Sequence, residues 1–116
     1  MAKLDARGAG TPTVSYSTSP TWGTSPSITL DTGSNDTRGR VSAVAGSGSP
    51  AANPTVTITF STPFEVTPQV FVFKDDQADT EGYQVPPTIS TTAFTVVLDG
   101  TPTASTAYDF KYLVVG

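Results

Sequence analysis

Apolar residues alternate with threonine along several short stretches of the chain. Residues 55–60 read Thr-Val-Thr-Ile-Thr-Phe, and residues 93–98 read Ala-Phe-Thr-Val-Val-Leu. A period of two sends successive side chains to opposite faces of a β-strand. Both stretches therefore predict strands with one buried face, which carries Val56, Ile58 and Phe60 in the first of them. Shorter stretches at 27–30 and 40–45 predict two more strands.

Three further stretches differ from this simple alternation. Residues 70–73 (Val-Phe-Val-Phe) are apolar at every position, which predicts an inner strand covered on both sides. Residues 83–89 are interrupted by Pro86 and Pro87, which predicts a strand at a sheet edge. The last stretch alternates again and places four large side chains on one face: Tyr108, Phe110, Tyr112 and Val114. Asp99-Gly100 before it is a frequent hairpin pair.

Turn residues separate these stretches, and no amphipathic helix pattern is present. The 116 residues include ten Gly and ten Pro, which suit tight turns and disfavour helices. About seven to eight strands in a chain of this length predict an all-β fold, an antiparallel β-sandwich over residues 27–116.

Residues 1–26 are predicted to form an extended N-terminal arm, because they are rich in small residues, Ser, Thr and Pro. Tyr16 and Trp22 are exceptions, and their large apolar surfaces indicate that the arm lies against its own domain or a neighbour. A solvated terminus is the alternative. Removal of the arm is expected to leave a folded domain.

Charge and composition exclude several classes of function. The net charge of −4 disfavours binding to nucleic acid, which needs clustered cations. The chain has no Cys and no His, so thiolate nucleophiles, imidazole zinc sites and Ser-His-Asp catalysis are unavailable. No signal peptide and no apolar run of about 20 residues is present, which predicts synthesis in the cytoplasm without membrane insertion. We expect no enzyme activity and no cofactor.

Two motifs could still carry chemistry. Asp31-Thr32-Gly33 resembles the active-site turn of aspartic proteases, in which paired carboxylates share a proton. The second apolar-apolar-Gly segment of that family has its only match here at the end of the chain, with no helix to follow, so a turn that ends a strand is the preferred interpretation. The acidic run from Asp75 to Glu81 offers oxygen ligands but lacks the spacing of a calcium loop, so we expect a solvated loop and no metal site.

The order of several short segments resembles a bacteriophage virion surface module, of the kind found in head decoration proteins and at the C-termini of head and tail fibres. The segments are Asn35-Asp36-Thr37 with Gly39 and Val41, then 57–60, 68–72 and 94–96, and finally Tyr108-Asp109-Phe110-Lys111-Tyr112-Leu113-Val114-Val115-Gly116. The resemblance covers about three-quarters of the chain. It implies display on a virion without catalysis, usually in symmetric oligomers, of which a homotrimer is the first expectation.

Fibre stems need heptads, Gly-X-Y runs or β-helical repeats, and none is present here. The sequence therefore favours a head decoration protein on the capsid exterior, bound to the major capsid protein through the arm. The candidate docking residues are Lys3, Leu4, Arg7, Tyr16 and Trp22. The alternatives are a receptor- or glycan-binding module of a fibre, with a site near Trp22, Tyr83 and the acidic run, and, more remotely, a dimeric aspartic protease.

Overall fold

The computed structural model of the chain describes residues 10–75, 83 and 88–116, and within them it contains eight strands and no helix. No helix in these ranges is therefore long and apolar enough to cross a membrane. The strands are β1 (Thr13–Tyr16), β2 (Ser27–Leu30), β3 (Arg38–Val44), β4 (Thr55–Thr59), β5 (Gln69–Lys74), β6 (Thr88–Ile89), β7 (Ala93–Val97) and β8 (Phe110–Val115).

The strands form two antiparallel sheets of four, which confirms the predicted all-β sandwich. The first sheet has the order β1-β4-β7-β6, and the second has the order β2-β3-β8-β5. The inward rows of both sheets pack on each other, as the period of two predicts. The buried apolar residues are Trp22, Ile28, Val41, Ala43, Ala45, Val56, Ile58, Phe60, Val70, Phe94, Val96, Leu98, Tyr108, Phe110, Tyr112 and Val114.

The segment predicted as an arm belongs to the sandwich from residue 10 onward. Strand β1 pairs with β4, where Tyr16 lies opposite Val56. Trp22, in the connection from β1 to β2, is 0% exposed and its Nε1 donates to the carbonyl oxygen of Thr55 at 2.9 Å. The domain boundary predicted at residue 27 is corrected accordingly, because a large ring and an unpaired strand are both more stable when buried and paired in the domain. Lys3, Leu4 and Arg7 lie outside the described residues.

Two predictions about strand placement are also corrected. Strand β5 lies at the edge of its sheet, although its apolar residues predicted an inner strand. Asp99-Gly100 does not close a hairpin, because β7 and β8 belong to different sheets. Instead, the Gly100 amide donates to Asn53 Oδ1 and the Asn53 amide donates to the Gly100 carbonyl, so the turn is attached to the loop before β4.

Several residues of the segments that resemble virion modules make contacts within the fold. Asn35 Oδ1 accepts hydrogen bonds from the Thr37 and Arg38 amides, which sets the turn into β3. The Tyr112 hydroxyl in β8 donates to the Asn35 carbonyl at 2.6 Å. A Cβ at Gly39 would lie 2.5 Å from that hydroxyl, so glycine is required there. These motif residues therefore fix the β3–β8 junction.

Substitution of Trp22 tests whether this part of the chain belongs to the core. Trp22→Ala should lower the free energy of unfolding by ~3–5 kcal/mol, because it removes a large buried ring. Trp22→Phe should cost roughly 1–3 kcal/mol, since part of the ring volume is lost and the phenyl ring has no N–H to donate to Thr55. Urea unfolding measures both. Val66→Ala, at an exposed position, is the control and should change stability by less than about 0.5 kcal/mol.

Deletion of residues 1–26 should abolish cooperative unfolding, because it removes β1 and Trp22 from the domain. A cooperative transition in the deleted protein would contradict this account.

Candidate interaction surface

The outer face of the second sheet collects most of the charged side chains that the structure describes. Arg40, which points outward from β3, contacts three carboxylates: Asp31 at the end of β2, Asp75 after β5 and Asp109 before β8. Its Nη1 lies 2.7 Å from Asp31 Oδ2, and its Nη2 lies 2.7 Å from Asp109 Oδ2. We call these four residues the Arg40 cluster; it links all four strands of the sheet.

Each member of the Arg40 cluster has further partners. The Ser42 hydroxyl donates to Asp31 Oδ1 at 2.6 Å, and the Ala43 amide donates to Asp109 Oδ1 at 2.8 Å. Lys111 Nζ lies 3.4 Å from Asp75 Oδ1. Three carboxylates thus share two cations, and every charge has an opposite charge beside it. The cluster is held mainly by its own members, which leaves it little capacity to recruit a charged ligand.

Ionisation of Asp31, Asp75 and Arg40 is displaced toward the charged forms. The hydrogen bond from Ser42, together with Arg40, lowers the pKa of Asp31 below its ordinary 3.8. The hydrogen bond from Arg40 lowers the pKa of Asp75 in the same way, and Asp75 and Asp31 in turn raise the pKa of Arg40. Bonds to the charged form favour that form. These three groups are therefore charged throughout the neutral range.

Asp31-Thr32-Gly33 forms the turn that ends β2, as interpreted from the sequence. The Asp31 amide donates to the Arg40 carbonyl, and the Ser34 amide donates to the Asp31 carbonyl. The Asp31 carboxylate is occupied by Arg40 and Ser42, and both partners stabilise its charged form. An aspartic protease needs a carboxylate pair that holds a proton. The surroundings of Asp31 argue against that role.

Tyr83, a candidate for ligand binding, makes its contacts within the domain. Its ring packs edge-on against Phe110, with centroids 4.7 Å apart, and its hydroxyl donates to the Tyr108 carbonyl at 2.6 Å. Burial raises the pKa of its hydroxyl. Of the acidic run beside it, Asp75 is in the Arg40 cluster, and residues 76–82 lie outside the described residues. Across the described parts of the chain, no group of acidic side chains is arranged to hold a metal ion.

An apolar patch adjoins the Arg40 cluster on the same outer face. Phe71 and Phe73 of β5 are 46% and 54% exposed, and Leu113 of β8, opposite Phe71 in the register, is 39% exposed. We call these three residues the apolar face. Arg38 of β3 lies opposite Leu113 on its other side and gives the patch a cationic border. Exposed apolar side chains grouped in this way are typical of interaction sites.

A shallow depression connects the cluster with the apolar face. Its volume is about 460 Å³, and it is lined by Asp31, Thr32, Gly33, Ser34, Arg38, Gly39, Arg40, Phe73, Lys111 and Tyr112. It combines one exposed ring with several polar and charged groups. Such a mixture is suited to a small polar ligand that stacks on an aromatic ring.

The two predicted docking residues that the structure describes, Tyr16 and Trp22, do not lie on this surface. Tyr16 lies on β1 of the first sheet and is 40% exposed, while Trp22 is enclosed in the core and cannot contact a partner. The sequence reasoning missed Arg40 and the apolar face. A signal was present, since residues 70–73 are apolar on both faces, but it was interpreted as burial inside the sheet.

Comparison of the chain with family models, curated proteins and solved structures finds no match.

The charge network predicts a specific pH dependence. The pKa values of Asp31 and Asp75 are lowered in the folded state, so their stabilisation is present above the unfolded value of 3.8 and is lost as the pH falls through their folded values. Arg40→Met should reduce stability at pH 7, because three carboxylates then repel one another. It should also reduce the loss on acidification, since protonation relieves that repulsion.

Urea unfolding of both proteins at about pH 7 and about pH 3 measures this difference. Arg38→Met, which removes a cation from the same strand outside the cluster, is the matched control and should follow the unsubstituted protein. Parallel pH profiles for Arg40→Met and Arg38→Met would contradict the assignment.

Proposed function

We propose that the protein is a non-enzymatic structural protein of a bacteriophage virion, a head decoration protein on the capsid exterior that binds the major capsid protein through its apolar face. The observation that carries the proposal is the exposure of Phe71, Phe73 and Leu113 side by side on one sheet. The resemblance of the chain to virion surface modules is the reason for placing it on a virion.

The distribution of satisfied and unsatisfied groups supports a binding role. No buried side-chain nitrogen or oxygen in the described residues lacks a hydrogen-bond partner, and the Arg40 cluster is internally paired. These polar groups gain little from a new partner. The apolar face, by contrast, gains free energy when it leaves water, at about 25 cal/mol per Å² of apolar surface. Apolar and aromatic side chains are also the usual anchors of protein interfaces.

The proposal assigns docking to a different part of the chain from the sequence prediction. Trp22 is buried in the core, and residues 13–16 pair with β4. The apolar face takes their place as the main contact. Docking by Lys3, Leu4 and Arg7 stays a prediction. In a homo-oligomer, with the trimer implied by the resemblance as the first case, several copies of the face would act together and strengthen a weak single contact.

A variant of the apolar face tests the proposal. Phe71→Ser combined with Leu113→Ser should weaken binding to capsids that lack the protein by at least about tenfold for each side chain buried, because such burial is worth ~1.5–3 kcal/mol and 1.4 kcal/mol is tenfold. Co-sedimentation of purified protein with capsids measures the affinity. In complete virions, its copy number should be comparable to that of the major capsid protein.

Two controls separate this surface from others. Val66, which is 76% exposed outside the face, should tolerate Val66→Ser without loss of binding. Tyr16→Ser tests docking through the first sheet. Unchanged binding of the double variant, or a handful of copies in each virion, would contradict the proposal.

A receptor- or glycan-binding module is the second candidate, and the depression beside Phe73 favours it. A sugar ring stacked on Phe73 could bond to Arg38, which lines the depression and lies outside the Arg40 cluster. This candidate predicts saturable binding of host envelope glycans that Phe73→Ala abolishes and Val66→Ser preserves. Capsid binding without glycan binding would select the decoration role.

A further inference from the structure

Among the described residues, one backbone edge of strand β5 has no partner strand. Strand β5 is the last strand of the second sheet and pairs with β8 alone among the described strands. The Val114 amide donates to the Thr37 carbonyl on the β3 side, and the Asp75 amide donates to the Asp109 carbonyl on the β5 side. Backbone groups alternate in direction along a strand. Phe71 and Phe73 therefore bond to β8, whereas the backbone groups of Val70 and Val72 point away from the sheet.

Between Pro68 and Lys74, this edge lacks the features that normally keep sheet edges apart. Of the four edge strands described, β5 is the longest with six residues, and β1, β2 and β6 have four, four and two. Residues 70–73 contain no charge, no proline and no glycine. Long, uncharged, apolar edges readily pair with another strand.

The side chains of β5 are self-complementary in an antiparallel pair. If Val72 lies opposite Val72 of a second copy, then Phe71 lies opposite Phe73 of that copy, and Phe73 lies opposite its Phe71. Residues directly opposite each other point to the same face, so two aromatic pairs form on the outer surface. Both partly exposed rings of each copy are then covered in part.

We propose that two copies of this chain associate through β5, antiparallel and about a twofold axis at Val72, to form one continuous eight-stranded sheet. The pairing satisfies the outward backbone groups of Val72, which bond to Val72 of the second copy, and joins the two apolar faces into one surface. It does not depend on the virion role. A twofold pair also differs from the trimer that the resemblance implies.

The side chains also select the register. A pair centred on Phe71 would place Phe73 opposite Gln69 and keep a single aromatic pair. It would also bring Pro68, which has no backbone N–H, into the ladder. The register centred on Val72 has two aromatic pairs and no proline between its paired residues.

Single cysteines test this register directly, because the chain has no cysteine of its own. In the proposed pair, Phe71 and Phe73 of the second copy occupy a position without ladder hydrogen bonds, where Cα atoms lie about 4.5 Å apart. That separation allows a disulfide, whereas two copies of the same residue lie on a diagonal of about 7–8 Å and do not bridge. A mixture of Phe71→Cys and Phe73→Cys chains should therefore form crosslinked dimers under mild oxidation, and each variant alone should not.

Sedimentation of the unsubstituted protein gives an independent measurement that needs no variant. We expect twice the 12.0 kDa mass of one chain at about 100 μM, a concentration well above a micromolar dissociation constant. Leu113→Cys is the control for a face-to-face pair, because Leu113 is one strand away from the edge. A single-chain mass at that concentration, or crosslinking of Leu113→Cys with itself, would overturn the proposal. Dimers of the unsubstituted protein that do not bind capsids would overturn only the decoration role.

Discussion

Burial of the inward row of β8 is the interaction on which the rest of the structure depends. Phe110, Tyr112 and Val114 are all enclosed, and β8 is paired with β3 on one side and β5 on the other. Phe94 of the first sheet lies against Tyr112, with ring centroids 5.3 Å apart, so the same row joins the two layers. A chain without disulfides relies on such packing for its stability.

The alternation that buries this row determines the outer surface. Side chains at 111 and 113 must point outward, where Lys111 joins the Arg40 cluster and Leu113 joins the apolar face. The cluster surrounds its two cations with three carboxylates and holds the ends of four strands together. Both sides of the sheet therefore contribute to stability. On the outer side, Phe71, Phe73 and Leu113 stay exposed, and their burial by a partner would release free energy.

The sequence predicted much of the fold because a period of two follows directly from strand geometry. The inward face of β4, including Ile58, was predicted residue by residue, and the large side chains of the last stretch, including Phe110, were predicted to share one face. Strand order was not predictable in the same way, since local pattern does not distinguish an inner strand from an apolar strand at a sheet edge. Residues 70–73 illustrate this limit. The Arg40 cluster joins residues 69 positions apart, and such contacts follow from topology rather than from spacing along the chain.

Trp22 shows why the N-terminal segment was misjudged. The residues around Trp22 are small and polar, which is typical of an arm. The segment nevertheless lies in the domain, because the large ring of Trp22 packs in the core beside Tyr108. The average composition of a segment does not show the effect of one such residue.

The central claim is that strand β5 is an interaction surface through its open edge, and amide hydrogen exchange measured by NMR tests it most directly. Protection of the Val72 amide should increase with protein concentration, while the Val114 amide, bonded within the sheet, should exchange at a constant rate. Exchange at Val72 that is fast and independent of concentration would contradict this claim.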